Sequence, residues 1–182
     1  LKKFPEGDAV PFVEAGGFTV MELFRGPTGA FKDVALSALP VLMSEAAKDA
    51  GAGKVLVLTA TSGDTGSAAM AGFAGVDGVR VGVFFPETGT SRIQRLQMTT
   101  RPEGNVRAIA IKGNFDDAQA AVKRIFADAK FREEAAAAGV ALSSANSINW
   151  GRILPQIVYY ISAYCDLLRD GEISMGERVH FC

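Results

Sequence analysis

The chain has 182 residues, of which 48% are hydrophobic, and it carries a formal net charge of −1. This composition provides a core of domain size, and without a basic tract or an apolar run of about 20 residues it argues against nucleic-acid binding and membrane association. Two cysteines and one histidine are too few for a zinc site or for serine–histidine–aspartate chemistry, and they favour a reducing compartment, the cytoplasm.

Short apolar runs alternate with amphipathic stretches along the chain. In the first third we expect a strand over residues 17–24, a helix over 32–50 and a strand over 54–59. The last of these is a nearly continuous run of valine and leucine, which is typical of a strand buried on both faces in a parallel sheet.

The same alternation continues to the end of the chain. We expect a helix capped by Asn114, strands over 80–85, 106–111 and 140–143, and helices over 65–73, 91–99, 132–139 and 152–168. This order predicts an α/β fold with an open, mostly parallel sheet and helices on both faces. Residues 178–182 predict the beginning of another strand, and we therefore expect the chain to be a piece of a longer protein.

A loop rich in hydroxyl groups and glycine, Thr61-Ser62-Gly63-Asp64-Thr65-Gly66, follows the strand over 54–59. Ligands of open α/β sheets bind beyond the carboxyl ends of the strands, where this loop lies. Its hydroxyls and the free N–H groups of the next helix favour an anion such as a carboxylate or a phosphate, and its glycines allow close approach. The alternative is a tight turn in which Asp64 or Thr65 only caps the helix.

Lys32 stands between Phe31 and Asp33 at the beginning of the helix predicted over 32–50. A lysine becomes a good nucleophile where burial or the positive end of a helix disfavours its ammonium form. The alternative is a solvated lysine in the first turn of a helix, which is far more common. Only the combination with the loop at 61–66 favours a reactive lysine.

Several motifs, taken together and in order, resemble those of the threonine synthase family, which are pyridoxal phosphate enzymes of the tryptophan synthase β-like fold (fold type II). The resemblance covers the chain from about Phe18 to its end. The motifs are Glu22-Leu23-Phe24, Gly26-Pro27-Thr28, Ala30-Phe31-Lys32-Asp33, residues 60–68, Ser91 to Gln94 with Gln97, and Asn146-Ser147-Ile148-Asn149 with Arg152.

The resemblance implies a role for nine residues. Lys32 would carry pyridoxal phosphate covalently and then act as the general base and acid that moves protons on the substrate. Phe31 and Asp64 would contact the cofactor. The substrate would be bound by Thr28, Thr61, Ser62, Thr65, Asn149 and Arg152, with the planar guanidinium as the phosphate ligand. The alternatives are a surface arginine at the beginning of a helix and an asparagine that only caps it.

The resemblance also implies a division of the chain into three segments. Residues 1–49 would be the N-terminal part of a large domain with the cofactor lysine, and residues 50–145 would form a smaller, mobile α/β domain. Residues 146–182 would return into the large domain and be truncated there. We expect the parent protein, rather than this piece alone, to be the competent enzyme.

The implied reaction is that of a lyase, the conversion of O-phospho-L-homoserine and water into L-threonine and phosphate, as the last step of threonine biosynthesis in the cytoplasm. The partner is then a small phosphorylated amino acid, with no nucleic acid and no membrane, and a homo-oligomer is left open. Two alternatives remain. One is a threonine-synthase-like phospholyase that acts on a related phosphorylated hydroxy-amino acid. The other is a catalytically silent α/β module that binds an anion.

Overall fold

The structure is a computed structural model that describes Phe4 and residues 10–182. Residues 1–3 and 5–9, which belong to the predicted segment 1–49, lie outside the described part. The elements in chain order are β1 (Phe12–Ala15), β2 (Phe18–Met21), α1 (Asp33–Asp49), β3 (Lys54–Ala60), α2 (Asp64–Phe73), β4 (Val79–Pro86), α3 (Arg92–Thr99), β5 (Val106–Ile111), α4 (Phe115–Ala127), α5 (Ala129–Ala137), β6 (Val140–Ser143), α6 (Trp150–Ile153), a 3-10 turn (Leu154–Gln156) and α7 (Ile157–Arg169).

The main sheet has four parallel strands in the order β5-β4-β3-β6. In the register, Thr59 lies beside Val83 and Val57 lies beside Ser143. The central strands β3 and β4 are buried on both faces, which explains their continuous valine and leucine runs. The predicted α/β class with a parallel sheet is confirmed.

Two hydrophobic clusters cover the two faces of this sheet. On one face, side chains of α1, α2 and α3 such as Leu36, Phe73 and Met98 pack on the valines of β3, β4 and β5. On the other face, α4 packs Ala118 and Val122 against the intervening β3 side chains. Helices therefore lie on both faces, and α1, from the predicted large domain, shares a core with the predicted smaller one. The domain division itself stays a prediction.

A two-stranded antiparallel hairpin precedes the main sheet and differs from the prediction. The expected strand over 17–24 is shorter, covering only Phe18–Met21, and it pairs with an unpredicted strand, Phe12–Ala15. Gly16 and Gly17 connect them with φ angles of 60° and 79°. A pair of positive φ angles is what the type I′ form of a two-residue hairpin turn requires, so this glycine pair was the overlooked signal.

Two predictions near the end of the chain are wrong. The single helix expected over 152–168 is interrupted, because Pro155 lacks an N–H group and lies in a 3-10 turn between α6 and α7. The strand expected over 178–182 does not form, since these residues have no neighbouring strand among the described ones. Instead, the ring of Phe181 contacts Tyr160 edge-on at 4.9 Å between centroids.

Within residues 10–182 there is no helix long and apolar enough to cross a membrane.

Candidate active site

The loop between β3 and α2 is shaped by a buried hydroxyl. Thr61 Oγ1 accepts hydrogen bonds from the N–H groups of Gly63 at 2.9 Å and Gly66 at 3.0 Å. A Cβ at Gly66 would overlap the Thr61 side chain, so the loop has space only for glycine there. The Thr61 hydroxyl, predicted to bind substrate, is thus buried and engaged with the backbone of its own loop.

The beginning of α2 offers unused donors beside this hydroxyl. Ser62 is exposed and Thr65 is half-buried. The N–H groups of Asp64 and Thr65 have no acceptor among the described residues, whereas Gly66 N donates to the Thr61 hydroxyl and Ser67 N donates to the Gly63 carbonyl. Free N–H groups at the positive end of a ten-residue helix can bind an anion.

Asn146 connects this loop region to the turn after β6. Its side-chain amide donates to the Ala60 carbonyl at 2.8 Å and accepts from Ala60 N at 3.1 Å. It also accepts from the Thr59 hydroxyl at 2.7 Å. The sequence motif contained Asn146, but only the structure shows that it fastens the carboxyl end of β3.

The segment that leads to Lys32 is held by a buried carboxylate. Asp33 accepts hydrogen bonds from Thr28 N at 2.9 Å and from Thr28 Oγ1 at 2.6 Å. A Cβ at Gly26 would overlap Asp33, so the chain passes closely over this carboxylate. The Thr28 hydroxyl, predicted to bind substrate, is thus engaged with Asp33.

The segment that leads to Lys32 is also held from α7, where the hydroxyl of Tyr159 donates a hydrogen bond to the Phe31 carbonyl. Burial, and to a smaller extent the nearby charge of Asp33, raises the pKa of Tyr159 to about 12. The neutral tyrosine is therefore favoured in the folded state. The backbone beside Lys32 is fixed from α7 as well as from Asp33.

This pKa predicts a loss of stability in alkali. An unfolded tyrosine ionises near pH 10, whereas the folded Tyr159 stays protonated to about pH 12. The contribution of Tyr159 to the free energy of unfolding is therefore complete below pH 10. It should fall by up to about 3 kcal/mol as the pH rises from 10 to 12. Urea unfolding should show this fall in the wild type and not in Tyr159→Phe. Tyr160→Phe is the control, and an unchanged pH dependence in Tyr159→Phe would contradict the assignment.

Lys32, Phe31 and Asp64, the three residues predicted to contact the cofactor, come together in the structure. Lys32 Nζ lies 3.2 Å from Asp64 Oδ2 and 4.2 Å from the centroid of the Phe31 ring. The lysine side chain is 12% exposed, whereas that of Asp64 is 53% exposed. The amine thus lies at the beginning of both α1 and α2, with a carboxylate and an aromatic face beside it.

Two glutamines of α3, to which the sequence assigned no role, contact this cluster and the segment that leads to it. Gln94 Nε2 donates to Asp64 Oδ1, and Gln97 Nε2 donates to the Thr28 carbonyl at 3.2 Å. Ser91 caps the helix by accepting from Gln94 N. The available signal was the spacing of three residues between the glutamines, which places both on one helix face.

Asn149 and Arg152 are not bonded to this cluster. Asn149 caps α6 by accepting from Gly151 N at 2.9 Å, and it donates to the Ser144 carbonyl at 2.8 Å. Arg152 is only 8% exposed, so it is not a surface arginine. Its Nε has no hydrogen-bond partner in the described part of the chain, and burial lowers the pKa of the guanidinium. A buried guanidinium nitrogen without a partner favours a nearby anion.

No cluster of three or more histidine, cysteine, aspartate or glutamate side chains within the described residues could hold a metal ion.

Comparison with known proteins identifies relatives for most of the chain. A family model described as pyridoxal-phosphate dependent enzyme matches residues 13–166. Threonine synthase-like 1 of Homo sapiens is 44% identical over 174 residues, which cover 92% of this chain and 23% of that protein. The threonine synthase of Pseudomonas aeruginosa is 47% identical over 152 residues, which cover 84% of this chain and 31% of that protein.

The fold is also found in solved structures. The crystal structure of pyridoxal phosphate-bound threonine synthase from Brucella melitensis matches with a TM-score of 0.81 and 41% sequence identity. The match covers 91% of this chain and 35% of that one. The chain therefore spans between 23% and 35% of the length of these three relatives.

Proposed function

The chain belongs to the family of pyridoxal-phosphate dependent enzymes, and on this premise we propose that the protein containing it is a threonine synthase. The proposed reaction converts O-phospho-L-homoserine and water into L-threonine and phosphate. The observation that carries the proposal is the Lys32 amine, which lies beside Asp64 in a chain related to threonine synthases at 41–47% identity. The place in threonine biosynthesis and the cytoplasmic location belong to the same proposal.

The residues around Lys32 fit pyridoxal phosphate. The amine is nearly buried yet lies beside the exposed side chain of Asp64, and Phe31, 41% exposed, offers an apolar face to an aromatic ring. When bound, the cofactor withdraws electrons from the substrate and so makes its α-hydrogen acidic. Phe31 would cover one side of the cofactor, and Asp64 would supply a fixed negative charge.

Lys32 has two tasks in this proposal. It anchors the cofactor, and its amine then takes protons from the substrate's carbon chain and returns them. Asp33 and Tyr159 hold the backbone on both sides of Lys32, so the amine moves at the end of a side chain whose backbone is fixed. A fixed backbone matters because proton transfer needs the amine at hydrogen-bond distance from the reacting carbon.

The substrate carries a carboxylate and a phosphate, and the chain offers two places for anions. The first is the N-terminus of α2, where the N–H groups of Asp64 and Thr65, together with the Ser62 hydroxyl, would bind one anion. The second is Arg152, whose buried guanidinium would bind the phosphate. Asn149 supports this second place by capping α6, the helix that carries Arg152.

Replacing Arg152 should weaken substrate binding. Because a hydrogen bond to a charged group contributes about 1.5–3 kcal/mol, we expect Arg152→Met to raise KM for O-phospho-L-homoserine by about 10- to 100-fold. Inorganic phosphate should also inhibit Arg152→Met less strongly than the wild type, by a factor similar to the change in KM. Arg107→Met, at an exposed position of β5, is the control. An Arg152→Met protein that folds and keeps the wild-type KM would show that Arg152 is not the phosphate ligand.

A threonine-synthase-like phospholyase is the second candidate, because one of the relatives, at 44% identity, is named only as threonine synthase-like. Product analysis of the full-length protein with O-phospho-L-homoserine distinguishes the two. L-threonine and phosphate would support the synthase, whereas a keto acid, ammonia and phosphate would support the phospholyase. A protein that binds the cofactor but releases no phosphate from this substrate would exclude the proposed reaction.

A further inference from the structure

We propose that Gln94 is a positioning residue, which holds the Asp64 carboxylate against the Lys32 amine. The inference deepens the proposed function and rests on it, since the amine matters through the cofactor it would carry. Asp64 uses its two oxygens separately: Oδ2 lies 3.2 Å from Lys32 Nζ, and Oδ1 accepts from Gln94 Nε2. The carboxylate is thus fixed between α1 and α3.

The orientation of the Gln94 amide is determined by its own neighbours. Ser91 Oγ donates to Gln94 Oε1 at 3.1 Å and accepts from Gln94 N at 3.3 Å. If the amide were rotated by half a turn, its oxygen would face the Asp64 carboxylate and two acceptors would meet. Gln94 therefore presents a donor to Asp64.

The backbone around Gln94 is held close to the loop at 61–66. A Cβ at Gly63 would overlap the Gln94 side chain, so the amide lies directly on the loop. Ser67 Oγ donates to the Gly63 carbonyl at 3.0 Å and lies 3.4 Å from the Gln94 carbonyl. The beginnings of α2 and α3 are consequently fixed to each other, and Gln94 reaches Asp64 from a rigid position.

Asp64 needs such a holder because its side chain is half exposed. Water competes for an exposed carboxylate, and an exposed ion pair by itself gives little stability. Without the donor of Gln94, Asp64 can turn into solvent and leave the Lys32 amine. The Lys32 amine then loses its ion-pair partner and is more open to attack by a reagent, which makes its chemical reactivity a direct readout of the position of Asp64.

The test measures how fast Lys32 is acylated in the full-length protein without cofactor. A small amine-reactive ester is the probe, mass spectrometry of the Lys32 peptide is the readout, and exposed Lys112 is the internal reference. Gln94→Met should raise the Lys32 rate about threefold relative to Lys112, as expected for loss of one partly exposed ion pair. Gln94→Asn, which keeps the amide but is one methylene shorter, should do the same.

The control is Gln119→Met, the same change on α4 on the opposite face of the sheet, and it should leave the rate unchanged. The decisive comparison is the Asp64→Asn background. If Gln94 acts through Asp64, Gln94→Met has no further effect there. An equal rate increase in that background, or no increase in the wild-type background, would overturn the proposal. Failure of the proposed function would show differently, as a wild-type protein that does not bind pyridoxal phosphate.

Discussion

Replacement of Lys32 by alanine is expected to remove the absorbance band at roughly 410–430 nm that lysine-bound pyridoxal phosphate gives. We expect kcat to fall by about 10³-fold or more, because the variant loses its general base as well as the covalent anchor. The physical basis is the position of the amine, which lies 3.2 Å from Asp64 and beside the Phe31 ring. Spectra and turnover of the full-length protein measure both effects.

Two variants control this experiment. Lys112→Ala removes an exposed lysine and should change neither the spectrum nor turnover. Lys32→Arg keeps the positive charge opposite Asp64 but cannot form the covalent link, so it should also lack the band. If Lys32→Ala retains the band, another lysine holds the cofactor. If neither wild type nor variant shows a band, the catalytically silent, anion-binding alternative is supported.

The largest effect on stability is expected from Gly72→Ala, with a loss of about 2–4 kcal/mol in the free energy of unfolding. Helices α1 and α2 cross at this residue, and a Cβ there would overlap the backbone carbonyl of Leu36. Leu36 and the adjacent Phe73 are completely buried, so neither helix can move without disturbing the core. Urea unfolding of the wild type and the variant measures the difference.

The same substitution should weaken cofactor binding. Lys32 precedes α1 and Asp64 begins α2, so a displacement of one helix from the other separates the amine from the carboxylate. Gly104→Ala is the matched control, because a Cβ there has no neighbour within 4 Å and its stability should change by less than about 0.5 kcal/mol. Equal stabilities of the two alanine variants would show that α1 and α2 do not need glycine where they cross.

Much of the fold could be predicted from sequence because the signals are local. The buried strands β3 and β4 are apolar on both faces, which their valine and leucine runs show directly. Asn114 caps α4 in a capping box with Asp117, a pattern of residues three apart in the sequence. Where the signal was local but overlooked, as at Gly16-Gly17 and at Pro155, the predicted boundaries were wrong.

The sequence by itself determined the order of the elements from α1 to β6 and the presence of a lysine segment and a glycine-rich loop, since periodicity and turn residues act within a few positions. Only the tertiary structure decided which side chains meet. Lys32 and Asp64 are 32 residues apart, and Tyr159 reaches the carbonyl of Phe31 across 128 residues. Such contacts depend on how helices and strands pack against one another. A hydrogen bond between residues that are distant in the sequence produces no periodic pattern in it.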